Sequence, residues 1–120
     1  MQGVTLEVDS GGIPLYKFYN SNGYQICTDV DEVLIKRNMR GTKFINFIRH
    51  PLDKSKRQAV DFVVADTDHL PFKDEGVDRI VTVCSVTFNT DTNELSRTLK
   101  RGGIFTEISG DTPRNVARSA

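Results

Sequence analysis

Acidic side chains stand in pairs at three places along this chain, each pair at the end of a short apolar run: Glu7 and Asp9, Asp29 and Asp31, Asp66 and Asp68. An ionised carboxylate is acceptor-only through two oxygens, so acids at such points suit a ligand that presents hydroxyl or amino donors. The first pair runs into Gly11 and Gly12. Glycine permits positive φ and close approach of a ligand to backbone amides, which makes DSGG a candidate cradle. It is neither the Gly-Lys-Ser/Thr phosphate loop nor a full G-x-G-x-x-G, and a glycine turn without a ligand is the competing reading. Asp29 follows about 20 residues after the first apolar run, the separation at which an acid meets both hydroxyls of a ribose. Asp31 starts a periodic segment and is better placed as a helix N-cap. The third pair lies in ADTDHLPFKDEGVDRIVTV, residues 65–83, a polar turn between two apolar runs. His69 is the histidine of that turn, a candidate general base or a solvated side chain. Asp66, Asp68 and His69 have the side-chain types of a metal site, but no spacing that defines one.

The elements that would position these acids follow from periodicity. Val4–Val8 alternates as a strand that the glycine pair ends. Pro14 suits a first helical turn, with Leu15, Phe18 and Tyr19 on one face. YQICT is a second strand ending at Asp29, and a helix capped by Asp31 runs to Gly41. FINFI, residues 44–48, is either an edge strand or helical, since period does not decide so short a run. VDFVVA is a third strand ending at Asp66, Arg79 to Cys84 a fourth, and Ile104–Ile108 a fifth. A helix from about Thr90 to Leu99, stopped by Gly102 and Gly103, precedes the last. Strands alternating with helices give an open α/β sheet of mainly parallel strands. In such a sheet the ligand crevice lies outside the carboxyl ends of the strands, where all three acidic pairs fall.

Composition excludes several classes. With 120 residues the chain is sized for a single domain, 1–120. Its 16 basic and 16 acidic residues cancel, so chain-wide charge supports neither a nucleic-acid nor a membrane partner. MQGVTLEVD has no signal-peptide pattern and no apolar run reaches membrane-helix length, making a cytoplasmic protein the expectation. Cys27 and Cys84 are far apart, each in an apolar run, and read as buried free thiols.

Residues 60–83, VDFVVADTDHLPFKDEGVDRIVTV, and 99–108, LKRGGIFTEI, resemble the second half of class I S-adenosylmethionine-dependent methyltransferases of the small-molecule type. TLEVDSGGI and QICTDVDE resemble that family's glycine loop and ribose-binding second strand. The resemblance implies an open Rossmann-like sheet in the order 3-2-1-4-5 and S-adenosylmethionine as cofactor. Glu7 then orients the loop, Asp29 with Val30 beside it meets the ribose, and Asp66 with Thr67 meets the adenine. Gly11 and Gly12 give room beside the methionyl part, and Cys84 to Val86 face methionine and substrate. Asp9 stands where the family's first loop glycine is expected, Ile13 where its third is, and Arg101 where a proline is.

The family follows its fifth strand with a helix and an antiparallel strand pair. Only SGDTPRNVARSA follows here, and Gly110 and Pro113 argue against a long pairing strand. The expectation is five strands lacking six and seven, with strand five an open edge. A homodimer joined there, or another protein partner, would complete the pocket for a small-molecule substrate. A non-catalytic module binding a cofactor or a protein is the alternative to an active methyltransferase.

Overall fold

The computed structural model describes residues 3–11, 14, 23–54, 59–83, 94–109 and 112–118. Among them are β1 (Val4–Glu7), β2 (Tyr24–Asp29), α1 (Glu32–Arg49), β3 (Val60–Val64), β4 (Val77–Val83), α2 (Glu94–Thr98), β5 (Leu99–Ser109) and β6 (Thr112–Ala117). The helix expected around residues 14–19 lies outside the described residues. The strands form one sheet in the order β3-β2-β1-β4-β5-β6. Every neighbouring pair through β5 is parallel, and β6 runs antiparallel to β5. The five-strand order 3-2-1-4-5 is as the sequence implies.

The central position of β1 follows from its side chains and that of the residue after it. Leu6 and Val8 are fully buried and pack with Val77, Ile80, Leu95, Leu99, Leu70 and Phe105. Each such side chain contributes about 1.5–3 kcal/mol relative to leaving it in water. Asp78 fixes the start of β1 by accepting from the Val4 amide at 2.8 Å, and Lys100 of β5 approaches the same carboxylate at 3.6 Å.

Three expectations are corrected. Gly41 does not stop the second helix; α1 continues through FINFI to Arg49. A Cβ at Gly41 would meet nothing within 4 Å, so this glycine rides on the open side of the helix, where it costs about 1 kcal/mol without breaking the ladder. Gly102 and Gly103 lie inside β5, not at a helix end. Gly102 takes φ +79, and a Cβ on Gly103 would stand 2.7 Å from the Lys100 carbonyl and 2.8 Å from that of Asp78. They mark the place where β5 shifts register against β4 between Val77 and Arg79. Finally, a sixth strand exists: Ile104 to Ser109 pair with Ala117 to Thr112, and Pro113 is accommodated because β6 is the sheet edge. The open edge on β5 that motivated a dimer is therefore occupied by the chain's own tail. Residues 112–117 thus supply one strand beyond the five expected.

Candidate functional site

The carboxyl ends of β1, β2 and β3 lie side by side, and their turns are tied together by hydrogen bonds. Asp29, nearly buried at the end of β2, uses both oxygens. Oδ2 accepts from the Gly11 amide at 2.9 Å and Oδ1 from the Asp31 amide at 2.9 Å. One side chain thus holds the glycine turn after β1 and the residue that caps α1. Asp31 performs that capping, accepting from the Val33 and Leu34 amides, and Val30 beside it is exposed. The other end of the Gly11 peptide is held from α1, where buried Asn38 donates Nδ2 to the Gly11 carbonyl at 2.9 Å. Ser10 donates its amide to the Thr28 carbonyl at 2.9 Å.

Asp9 adopts φ 51 and Gly11 φ 63, so two positions of the turn are left-handed and one of them bears a side chain. The Asp9 carboxylate is 3.5 Å from the Thr67 hydroxyl, at the long limit of a hydrogen bond, linking the β1 turn to the β3 turn. Glu7 is buried, with the Cys27 thiol 4.0 Å from its Oε1 and its carbonyl accepting from the Thr28 hydroxyl at 3.3 Å. Cys27 is a buried free thiol as expected. Gly12, Ile13 and Cys84 lie outside the described residues.

After β3, exposed Asp66 closes a tight turn. Its Oδ1 accepts from the Asp68 amide at 2.9 Å and its carbonyl from the His69 amide at 2.9 Å. Oδ2 accepts no hydrogen bond among the described residues, and the residue is exposed. His69 is exposed in the same turn. Among the described residues no three His, Cys, Asp or Glu side chains converge as metal ligands.

The turn is held from behind by a clamp that sequence reasoning missed. Arg97 of α2 donates Nη2 to the Leu70 carbonyl at 2.9 Å and Nη1 to the Phe72 carbonyl at 2.7 Å. Its remaining donors engage Glu94 at 2.7 and 2.8 Å and Asp74 at 2.8 Å. Glu94 in turn accepts from the Leu70 amide at 2.9 Å. Glu94 and Asp74 hold the Arg97 guanidinium above its ordinary range, and Arg97 holds the Glu94 carboxyl below its usual 4.5 against the opposing effect of burial. Asn38 and Arg97 could have been found only by asking what satisfies the turn backbones, because neither lies near its partner in sequence.

The arrangement suits a ligand with a vicinal diol and an exocyclic amine. A carboxylate offers about four lone-pair sites, so Asp29 retains acceptor capacity after its two amide bonds, and Asp66 retains an oxygen. The buried Ser10 hydroxyl has no hydrogen-bond partner among the described residues and is a further group for a ligand or water to satisfy.

A parallel sheet with acidic rims and a glycine turn at its central strand end defines an open Rossmann-like α/β class. The model of the methyltransferase domain family matches residues 12–106, and the chain belongs to that family. The family and the cofactor it uses, S-adenosylmethionine, agree with the resemblance carried by residues 60–83 and 99–108. Solved structures share the fold. A candidate S-adenosyl-L-methionine-dependent methyltransferase from Methanococcus maripaludis aligns with TM-score 0.71 and 23% identity over 91% of this chain and 48% of its own. A candidate sarcosine dimethylglycine methyltransferase from Galdieria sulphuraria gives 0.70 and 17% over 88% and 39%. The candidate methyltransferase crystallised with the Trm112 methyltransferase activator of Haloferax volcanii gives 0.55 and 21% over 88% and 43%. This chain therefore spans about half or less of the length of these proteins. Comparison with curated protein sequences gives no match.

Proposed function

We propose that the chain binds S-adenosylmethionine along the ends of β1, β2 and β3 and serves methyl transfer to a small-molecule acceptor. The observation that carries this is the Asp29 carboxylate, which sits between the glycine turn and the α1 cap with acceptor capacity to spare. Asp29 takes the ribose hydroxyls and Asp66 the adenine amine, with Thr67 beside the ring. Gly11 lets the turn come close to the methionyl part, and Asn38 and Arg97 hold the two turns in place. When bound, the cofactor supplies an electrophilic methyl group, so the protein's task is positioning more than acid–base work.

A second reading, a methyltransferase-fold module that binds a cofactor or a protein without turnover, is favoured by Asp9. Its carboxylate occupies a turn that would approach the cofactor's own carboxylate, and its left-handed backbone is one that glycine would take without strain. A protein partner or a second copy completing the pocket is compatible with either reading; the Haloferax relative is itself held in a complex with an activator.

Titration calorimetry with S-adenosylmethionine and with S-adenosylhomocysteine tests the proposal. Binding of either is expected, with D66A about tenfold weaker, the equivalent of one lost hydrogen bond of about 1.4 kcal/mol. Absence of heat for both ligands at about 1 mM, where a Kd of that order would still register, rejects the cofactor assignment. Binding without S-adenosylhomocysteine formation across a panel of amine, hydroxyl and thiol acceptors selects the non-catalytic reading.

A further inference from the structure

The inward side of α1 is set by Ile35, Asn38 and Thr42, which are buried against the sheet. The opposite side is not the solvated face expected of a covering helix. Phe44, Phe47 and Ile48 project from its last two turns and are 63%, 57% and 59% exposed. Helical spacing places Phe44 and Val33 straight across from the buried residues. Within about two turns before Phe44 stand Lys36, Arg37, Arg40 and Lys43, with Glu32 the only acid in the helix and already paired with Lys36 at 2.7 Å. A chain whose 16 basic and 16 acidic residues cancel thus concentrates positive charge on one element, beside its exposed aromatic rings. Chain-wide charge, which argued against a membrane surface, averages this asymmetry away.

We propose that this face of α1 docks on an anionic lipid surface. The last two turns enter the headgroup boundary, and Arg37, Arg40 and Lys43 meet the lipid phosphates. The combination selects the occupant. A nucleic acid would satisfy the cations and could stack bases on Phe44, but it would leave the aliphatic Val33 and Ile48 in water. An apolar protein surface would satisfy the rings and leave the cations unmatched. An anionic bilayer complements both along one helix, lying in the interface and not crossing it; no helix among the described residues is long and apolar enough to cross.

The test is co-sedimentation of the full chain with vesicles of phosphatidylcholine alone and of phosphatidylcholine and phosphatidylglycerol in equal parts. Binding is expected to the mixed vesicles only and to fall as salt is raised. F44S/F47S and R37E/R40E should each weaken it at least about tenfold while thermal unfolding stays that of the parent, since all four positions are exposed. Because the chain has no tryptophan, F47W gives an independent reading. Its emission should shift to the blue with mixed vesicles and stay put with neutral ones. Failure to bind mixed vesicles, or binding that neither double variant reduces, overturns the proposal. So does a dimer in sedimentation equilibrium that F44S/F47S dissolves while the parent ignores vesicles, which would give the face to a second copy.

Discussion

Replacing Arg97 by methionine keeps most of the apolar stem and deletes the fork that closes the turn after β3. The guanidinium makes two bonds to the backbone carbonyls of Leu70 and Phe72, two to Glu94 and one to Asp74, all between 2.7 and 2.9 Å. The bond to Asp74, whose side chain is 77% exposed, contributes little. The two charge-assisted bonds to carbonyls are worth about 1.5–3 kcal/mol each before water re-solvates what is left behind. Arg97 is about one-third exposed, so water recovers part of this, and a net loss of about 3 kcal/mol is expected for R97M. Against a total of about 5–15 kcal/mol for a domain of this kind, that is a large fraction. Urea unfolding should therefore show the midpoint falling by about 1.5 M at an m-value of about 2 kcal/mol/M, with the slope unchanged. R97K, which restores the charge without the planar fork, should recover less than half of the loss. Hydrogen exchange should quicken at the Leu70 amide, whose acceptor is Glu94. A midpoint for R97M within about 0.3 M of the parent, or R97K equal to the parent, would refute the argument that backbone recognition by the fork is what stabilises the turn.

D9G removes a side chain from a residue at φ 51 and a carboxylate from the glycine turn. Relief of about 1 kcal/mol of left-handed strain is offset by a comparable loss of unfolded-chain restriction, so the urea midpoint should stay nearly fixed while calorimetric affinity for S-adenosylmethionine rises about fivefold or more. G103A should lose about 2 kcal/mol in the same urea assay, because its Cβ meets two carbonyls and the Leu99 side chain below 3.0 Å. For pH, Glu94 is held below its ordinary 4.5 by Arg97. Its contribution is therefore fully present above the unfolded value and disappears as pH falls through the lowered folded value. Urea midpoints measured from pH 7 down to pH 3 should fall less steeply in E94Q than in the parent.

The legible parts of this chain are those in which a side chain acts on its own neighbourhood. Strand alternation, the Asp31 cap and the polar turn after β3 are local, and together with the family resemblance they yielded the strand order and the rims. The length of α1 was obscured because Phe44, Phe47 and Ile48 lie outside, so its last turns are apolar on more than the buried side and lose the pattern of a covering helix. Local propensity makes Gly41 and Pro113 breakers; an open helix face and a sheet edge each relieve the penalty. Asn38 and Arg97 were invisible for another reason. They act at separations of 27 and 25 to 27 residues, on backbone groups whose need for a partner appears only once the turns exist.

The place of β1 in the middle of the sheet also sets an order of events during synthesis. Leu6 pairs with Ile26 on one flank and Ile80 on the other, and the Val4 amide reaches Asp78 across 74 residues. On a growing chain, β1 to β3 can zip in the order they emerge, but the second flank of β1 stays a bare strand edge until β4 is made. During that interval the emerging polypeptide displays an unpaired template next to the apolar row Leu6 and Val8, a condition that invites pairing with another nascent copy. The β5 and β6 hairpin, by contrast, closes within its own few residues and waits on nothing upstream. Slow closure at the centre and fast closure at the rim make yield during expression, more than final stability, the property most exposed to changes in β4.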